Sequence, residues 1–182
     1  MTFQLTWLPS VLSAAGLSVT EETGWQNRGH GDVGTIKGIL CHHTAGPSTG
    51  NMPSLQTIIN GRPDLAGPLS QLALGRDGTF YIIAAGKGWH AGQGVWQGVT
   101  DGNAELIGIE AENTGLPSDP WPEVQMSAYA KGCAAILKHI GQHSIMCAGH
   151  KEYATPHGRK DDPSFDMDAF RLRVHDLLMG GI

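Results

Sequence analysis

Nine histidines, seventeen acidic residues and three cysteines carry most of the chemistry available to this 182-residue chain, and a few stand where spacing gives that chemistry a form. The run Ile36-Lys-Gly-Ile-Leu-Cys-His42-His43-Thr44 ends a short apolar stretch in two imidazoles. Such a stretch has the pattern of a strand buried on both faces, so a histidine at its mouth sits on a rigid platform. Far downstream, Gly149-His150 offers another imidazole and Lys160-Asp161-Asp162-Pro163 a pair of adjacent carboxylates. His42, His150 and one of those carboxylates would complete a three-ligand set of the catalytic zinc type. Two neutral imidazoles and one carboxylate leave such a cation net positive, able to acidify water and polarise a carbonyl. His43 is left as structural, because neighbouring side chains of an extended strand point to opposite faces.

A second strand, Glu105 to Asn113, alternates Ile107, Ile109 and Ala111 on one face with Leu106, Gly108, Glu110 and Glu112 on the other. Two carboxylates therefore share a face, and the pattern does not choose a general base between them. The cysteines, Cys41, Cys133 and Cys147, form no C-x-x-C pair and sit in apolar contexts, which reads as reduced core residues.

The elements that must position these groups read as α/β, a mixed central sheet flanked by helices in a single domain over residues 1–182, with residues 1–34 an N-terminal helix and loop packed on it. Leu8, Val11, Leu12 and Ala15 have helical spacing and stop at Gly16; Trp25 is placed to pin the following loop. A short helix is expected around Leu55 to Ile59. Two strand-like runs, Leu69 to Leu74 and Thr79 to Ala85, flank Gly75-Arg76-Asp77-Gly78, whose Asp-Gly pair signals a hairpin. A glycine- and tryptophan-rich loop covers Lys87 to Thr100. A helix from Glu123 to Ile140 carries Val124, Ala128, Ala135, Ile136 and Ile140 on one stripe. A strand from Ser144 to Ala148 delivers His150, and a last helix, Asp166 to Met179, is capped by Asp166 or Ser164.

Composition excludes other classes. Lys and Arg number 12 against 17 Asp and Glu, a net charge of −5, with no basic stripe for nucleic acid. No run approaches the roughly 18 residues of a membrane span, and the N-terminus lacks a secretory signal pattern.

The order of motifs resembles the zinc-dependent N-acetylmuramoyl-L-alanine amidase family, the type 2 amidase fold shared with peptidoglycan-recognition proteins and many phage endolysins. The likeness spans roughly Thr35 to Leu178. It rests on Cys41-His42-His43-Thr44-Ala45, Gly75-Arg76-Asp77-Gly78-Thr79, Leu106-Ile107-Gly108-Ile109-Glu110, Gly149-His150, and Lys160 two residues before Asp162-Pro163. The resemblance implies Zn²⁺ held by His42, His150 and Asp162, with Glu110 as general base and Lys160 facing the developing oxyanion. It implies peptidoglycan as partner, cut between the lactyl group of N-acetylmuramic acid and L-alanine. The loops around the strand ends, with Trp89, His90, Asn113, Thr114 and Arg159 offering aromatic surface and polar groups, are expected to contact glycan and stem peptide. Where several relatives carry a tyrosine, this chain reads Pro68-Leu69-Ser70-Gln71, and Glu110 is expected to take over that role. The alternatives are a non-catalytic peptidoglycan-binding module and a zinc peptidase cutting within the stem. A monomeric phage lysin domain, made in the host cytoplasm and acting on the wall, is the expected setting, beside a cytoplasmic recycling amidase.

Overall fold

The computed structural model describes residues 2–180. In chain order the elements are α1 (Leu8–Ala14), β1 (Val19–Glu21), β2 (Gly38–His43), α2 (Leu55–Asn60), β3 (Gly61–Arg62), β4 (Leu65–Ala66), β5 (Leu72–Leu74), β6 (Phe80–Ile82), α3 (Gly102–Glu105), β7 (Leu106–Ala111), α4 (Glu123–His139), β8 (Cys147–Gly149), α5 (His150–Tyr153) and α6 (Met167–Gly180). Six strands form one sheet in the order β1-β6-β5-β7-β2-β8, and β3 pairs with β4 separately. All neighbours in the large sheet run parallel except the β5-β6 hairpin. The mixed α/β architecture is the one the sequence implies.

The apolar run that ends in His42 is β2, flanked by β7 and β8 and buried from Gly38 through His42. A strand in that place must be apolar on both faces. The β5-β6 turn behaves as its Asp-Gly pair demands: Gly78 sits at φ 84°, and Thr79 N donates to Asp77 Oδ1 at 2.9 Å. Both strands are shorter than expected. Leu69 N donates to Ile58 O, and Ile83 N and Ala84 N both turn to Gln71 O, so the chain leaves the ladder at each end.

Helices α1, α4 and α6 cover one face of the sheet, in a core that joins Leu8, Leu12, Ile39, Cys41, Phe80, Ile109, Tyr129, Ile136, Phe170 and Val174. On α4 the expected stripe departs at its first turn: Val124 is 56% exposed and Gln125 is buried instead. The reason is polar, because that turn meets the ends of β5 and β7, and Gln125 Nε2 donates to Glu112 O and to Leu74 O, the latter shared with Glu112 N. Trp25 is buried, and its indole N–H donates to Glu21 Oε2 at 2.7 Å. Asp166, not Ser164, caps α6, accepting from the amides of Asp168 and Ala169. Among the described residues no helix is long and apolar enough to cross a membrane.

Candidate active site

Three donors from three separate elements meet at the ends of β2 and β8. His42 is near the end of β2, His150 opens α5 directly after β8, and Asp162 lies on the loop before α6. His42 Nδ1 is 3.1 Å from His150 Nδ1 and 2.9 Å from Asp162 Oδ2, and His150 Nδ1 is 3.1 Å from the same oxygen. All three residues are buried. Each is fixed by its surroundings. Tyr129 on α4 accepts from His42 N at 3.0 Å and donates to Ile109 O at 3.0 Å, holding the ends of β2 and β7 together. Gly149 N donates to Glu152 Oε2, and Arg171 on α6 grips that carboxylate, which sets the turn carrying His150. Lys151 N donates to Asp162 O, tying the carboxylate's loop to the same turn.

The outer ring nitrogens are occupied too. His150 Nε2 donates to Ala91 O at 3.0 Å, which leaves Nδ1 as the free nitrogen of that ring, and His42 Nε2 is paired with His90 Nδ1 at 3.2 Å. Burial, with His150 beside it, holds the His42 imidazole below its ordinary pKa, and burial does the same more strongly for His90. Both favour the neutral ring that a cation needs. Burial would raise Asp162, but the adjoining imidazoles of His150 and His42 outweigh it and hold the carboxylate far below the usual range. Two imidazoles and one ionised carboxylate, with their inner atoms mutually in reach, fit a tetrahedral zinc site with one open position. His43 stays out of that set, its Nδ1 accepting from Ser164 N at 3.2 Å.

The two glutamates that the strand pattern could not separate are told apart by their partners. Glu112 is fully buried, and its carboxylate takes Thr44 Oγ1 at 2.7 Å, Ser54 N at 2.9 Å and Ser54 Oγ at 3.0 Å. It holds two loops together. Glu110 has no such partners; its side chain is 17% exposed and Oε1 stands 3.9 Å from His42 Nδ1. Burial first, and then Asp162, push Glu110 well above the ordinary carboxylate pKa, against the opposing pull of Lys160. Glu110, Lys160 and the three donors all line one cleft of about 580 Å³.

A family model described as N-acetylmuramoyl-L-alanine amidase (Amidase_2) matches residues 32–165. The chain belongs to that family. No curated protein sequence matches it. Among solved structures, a selenomethionine derivative of AmpD is similar with a TM-score of 0.65 at 21% identity, over 95% of this chain and 99% of that one. AmiD from E. coli, solved with anhydro-N-acetylmuramic acid-L-Ala-D-gamma-Glu-L-Lys, is similar with a TM-score of 0.62 at 21% identity, over 87% of this chain and 65% of that one. The catalytic domain of XlyA is similar with a TM-score of 0.63 at 19% identity, over 87% of this chain and 99% of that one. At such identities these likenesses establish the fold.

In this amidase the residues expected to touch substrate divide. Trp89, His90 and Arg159 line the cleft. Trp89 stacks on His30 with ring centroids 4.4 Å apart, and Arg159 bonds Thr155 O and Gln93 O. Asn113 and Thr114 do not line it: Asn113 Nδ2 donates to Asp119 O, its Oδ1 accepts from Gly115 N, and Thr114 Oγ1 accepts from Leu116 N. They build the loop after β7. The opposite wall, which includes Thr57, Ile58, Arg62 and Leu65 from α2 and the β3-β4 hairpin, was not read from the sequence. Its one signal is the Pro63-Asp64 pair inside that hairpin, a turn dipeptide.

Proposed function

We propose that this amidase hydrolyses the amide bond between the lactyl group of N-acetylmuramic acid and L-alanine in peptidoglycan, with zinc held by His42 Nδ1, His150 Nδ1 and Asp162 Oδ2. The observation that carries the reading is the convergence of those three donors beside Glu110 in one cleft. Zinc bound there would supply a Lewis acid that polarises the scissile carbonyl and acidifies water. Glu110 Oε1 takes a proton from the attacking water as its oxygen adds to the carbonyl carbon. It returns that proton to the alanine nitrogen as the C–N bond breaks, leaving a lactyl carboxylate and a free amine. Its raised pKa suits a group that must hold the proton between those steps. Lys160 Nζ offsets the negative charge on the tetrahedral oxygen, a contribution of about 3 kcal/mol in a dry cleft. Trp89 and Arg159, at the rim, contact the glycan and stem peptide, and residues 1–182 act as one catalytic domain on the cell wall.

The test is mass spectrometry of purified walls after digestion. Stem peptides with a free amine on L-alanine, absent when a chelator is added and restored by zinc, support the reading. A free amine inside the stem would make the chain a peptidase, and bound but uncut walls a recognition module.

A further inference from the structure

The two imidazoles that meet at Asp162 are held from behind by two consecutive residues. His42 Nε2 contacts His90 Nδ1 at 3.2 Å, and His150 Nε2 contacts the carbonyl of Ala91 at 3.0 Å. That dipeptide is in turn fixed by one atom: Asn103 Oδ1 accepts from His90 N and from Ala91 N, each at 2.9 Å. We infer that Asn103 is a positioning residue for both imidazoles, setting through a single amide oxygen the segment that dictates which nitrogen of His42 and of His150 is free to bind a cation. The inference rests on the metal-binding reading of those histidines.

The physical reason lies in the ring. A neutral imidazole offers one lone pair, and the hydrogen bond made by its other nitrogen decides which. Here Nε2–H of His150 donates to the Ala91 carbonyl, and Nε2 of His42 is paired with the Nδ1 of buried His90. If residues 90 and 91 shift, both Nε2 atoms lose their partners together, and both rings are released to rotate or change tautomer.

Two glycines bring the clamp into place. A Cβ on Gly102 would lie 2.7 Å from Ala91 Cβ, so glycine there lets α3 approach the segment. A Cβ on Gly108 of β7 would lie 2.7 Å from His90 Cγ, so glycine there leaves room for the ring. The α3 turn is anchored independently, Gly102 N donating to Tyr153 Oη at 2.9 Å and Asp101 Oδ1 accepting from Ala104 N at 3.2 Å. Accepting two amides at once requires an sp² oxygen at that reach, which Asn and Asp supply and Leu does not.

The test compares wild type with Asn103→Leu, Asn103→Asp and His90→Phe. Zinc affinity, measured by competition with a chelating dye, should fall about 10- to 100-fold in Asn103→Leu and stay within about threefold in Asn103→Asp. In the zinc-loaded protein, the imidazole Nε2–H signals of both His42 and His150 should exchange faster in Asn103→Leu, and that of His42 alone in His90→Phe. In metal-free protein, hydrogen exchange at the His90 and Ala91 amides should lose protection in Asn103→Leu and keep it in Asn103→Asp. If Asn103→Leu does not fold, Asn103→Ser, too short to reach both amides, takes its place. Unchanged zinc affinity with both amides still protected would overturn the inference, as would Asn103→Asp proving as damaging as Asn103→Leu. Wild-type protein that takes up no zinc would refute the metal reading instead, and the metal-free exchange data would still decide whether the clamp exists.

Discussion

Strands β2 and β8 serve two groups of metal-capable side chains on opposite sides of the sheet. On one side His42, His150 and Asp162 converge; on the other Cys41, Cys133 and Cys147 do, with Cys41 Sγ and Cys147 Sγ 3.5 Å apart. Both sets are buried, so burial does not distinguish them. Access does. The imidazoles have their outer nitrogens tied by hydrogen bonds and their inner ones facing a cleft, whereas the thiols lie in the closed core between the sheet and α4. Donors within reach of one another make a site only where the fold also leaves an opening.

That contrast orders the expected effects. His150→Ala should reduce wall hydrolysis to background, measured as release of free L-alanine amines, because one of three cation donors is gone. Glu110→Gln should keep its zinc yet lower kcat by about 10²- to 10⁴-fold. Glu112→Gln should leave kcat within a few fold and instead cost about 1–3 kcal/mol of unfolding free energy in urea, since its bonds to Thr44 and Ser54 are structural. A reversed pattern in that pair would put the base on the wrong glutamate. Lys160→Ala should lower kcat about 100-fold with little change in KM. On the thiol side, Cys133→Ala should cost about 1 kcal/mol of stability and no activity.

An effect of similar size, set apart by its pH dependence, concerns the clamp that shapes the loop after β7. Arg76 donates to both oxygens of Asp119 at 2.8 Å and holds that carboxylate below its usual pKa. A depressed folded-state pKa means that the pair's stabilisation is present above the unfolded value of about 3.9 and is lost as pH falls through the folded value. Arg76→Ala should therefore cost about 1.5 kcal/mol at neutral pH, shrinking towards zero as the solution is acidified below that range. A cost that persists in acid would mean Arg76 acts through its packing instead.

The sheet, its hairpin and the two long helices were legible because each rests on a local signal: the apolar run before His42, the Asp-Gly turn, the 3.6-residue stripe. The three donors were legible only as an ordered set of motifs, since spacing over so long a stretch of chain says nothing about distance. What stayed hidden is short or made by backbone. Strand β1 has three residues and the β3-β4 hairpin two per strand, too few to show a period. The choice between Glu110 and Glu112 depended on Ser54 and Thr44, which belong to other loops, and His90 looked like a substrate contact although its ring is buried against Gly108 behind His42. Asn113 and Thr114 were placed in the cleft because they follow the strand carrying Glu110, but that loop folds back on Asp119.

Zinc content per chain, determined by elemental analysis after equilibration and desalting, tests the central claim most directly. One zinc per chain is expected in the wild type and in Cys133→Ala, and none in His42→Ala. Zinc that survives the loss of His42 and disappears with Cys133 would place the ion on the wrong face of the sheet and contradict the account.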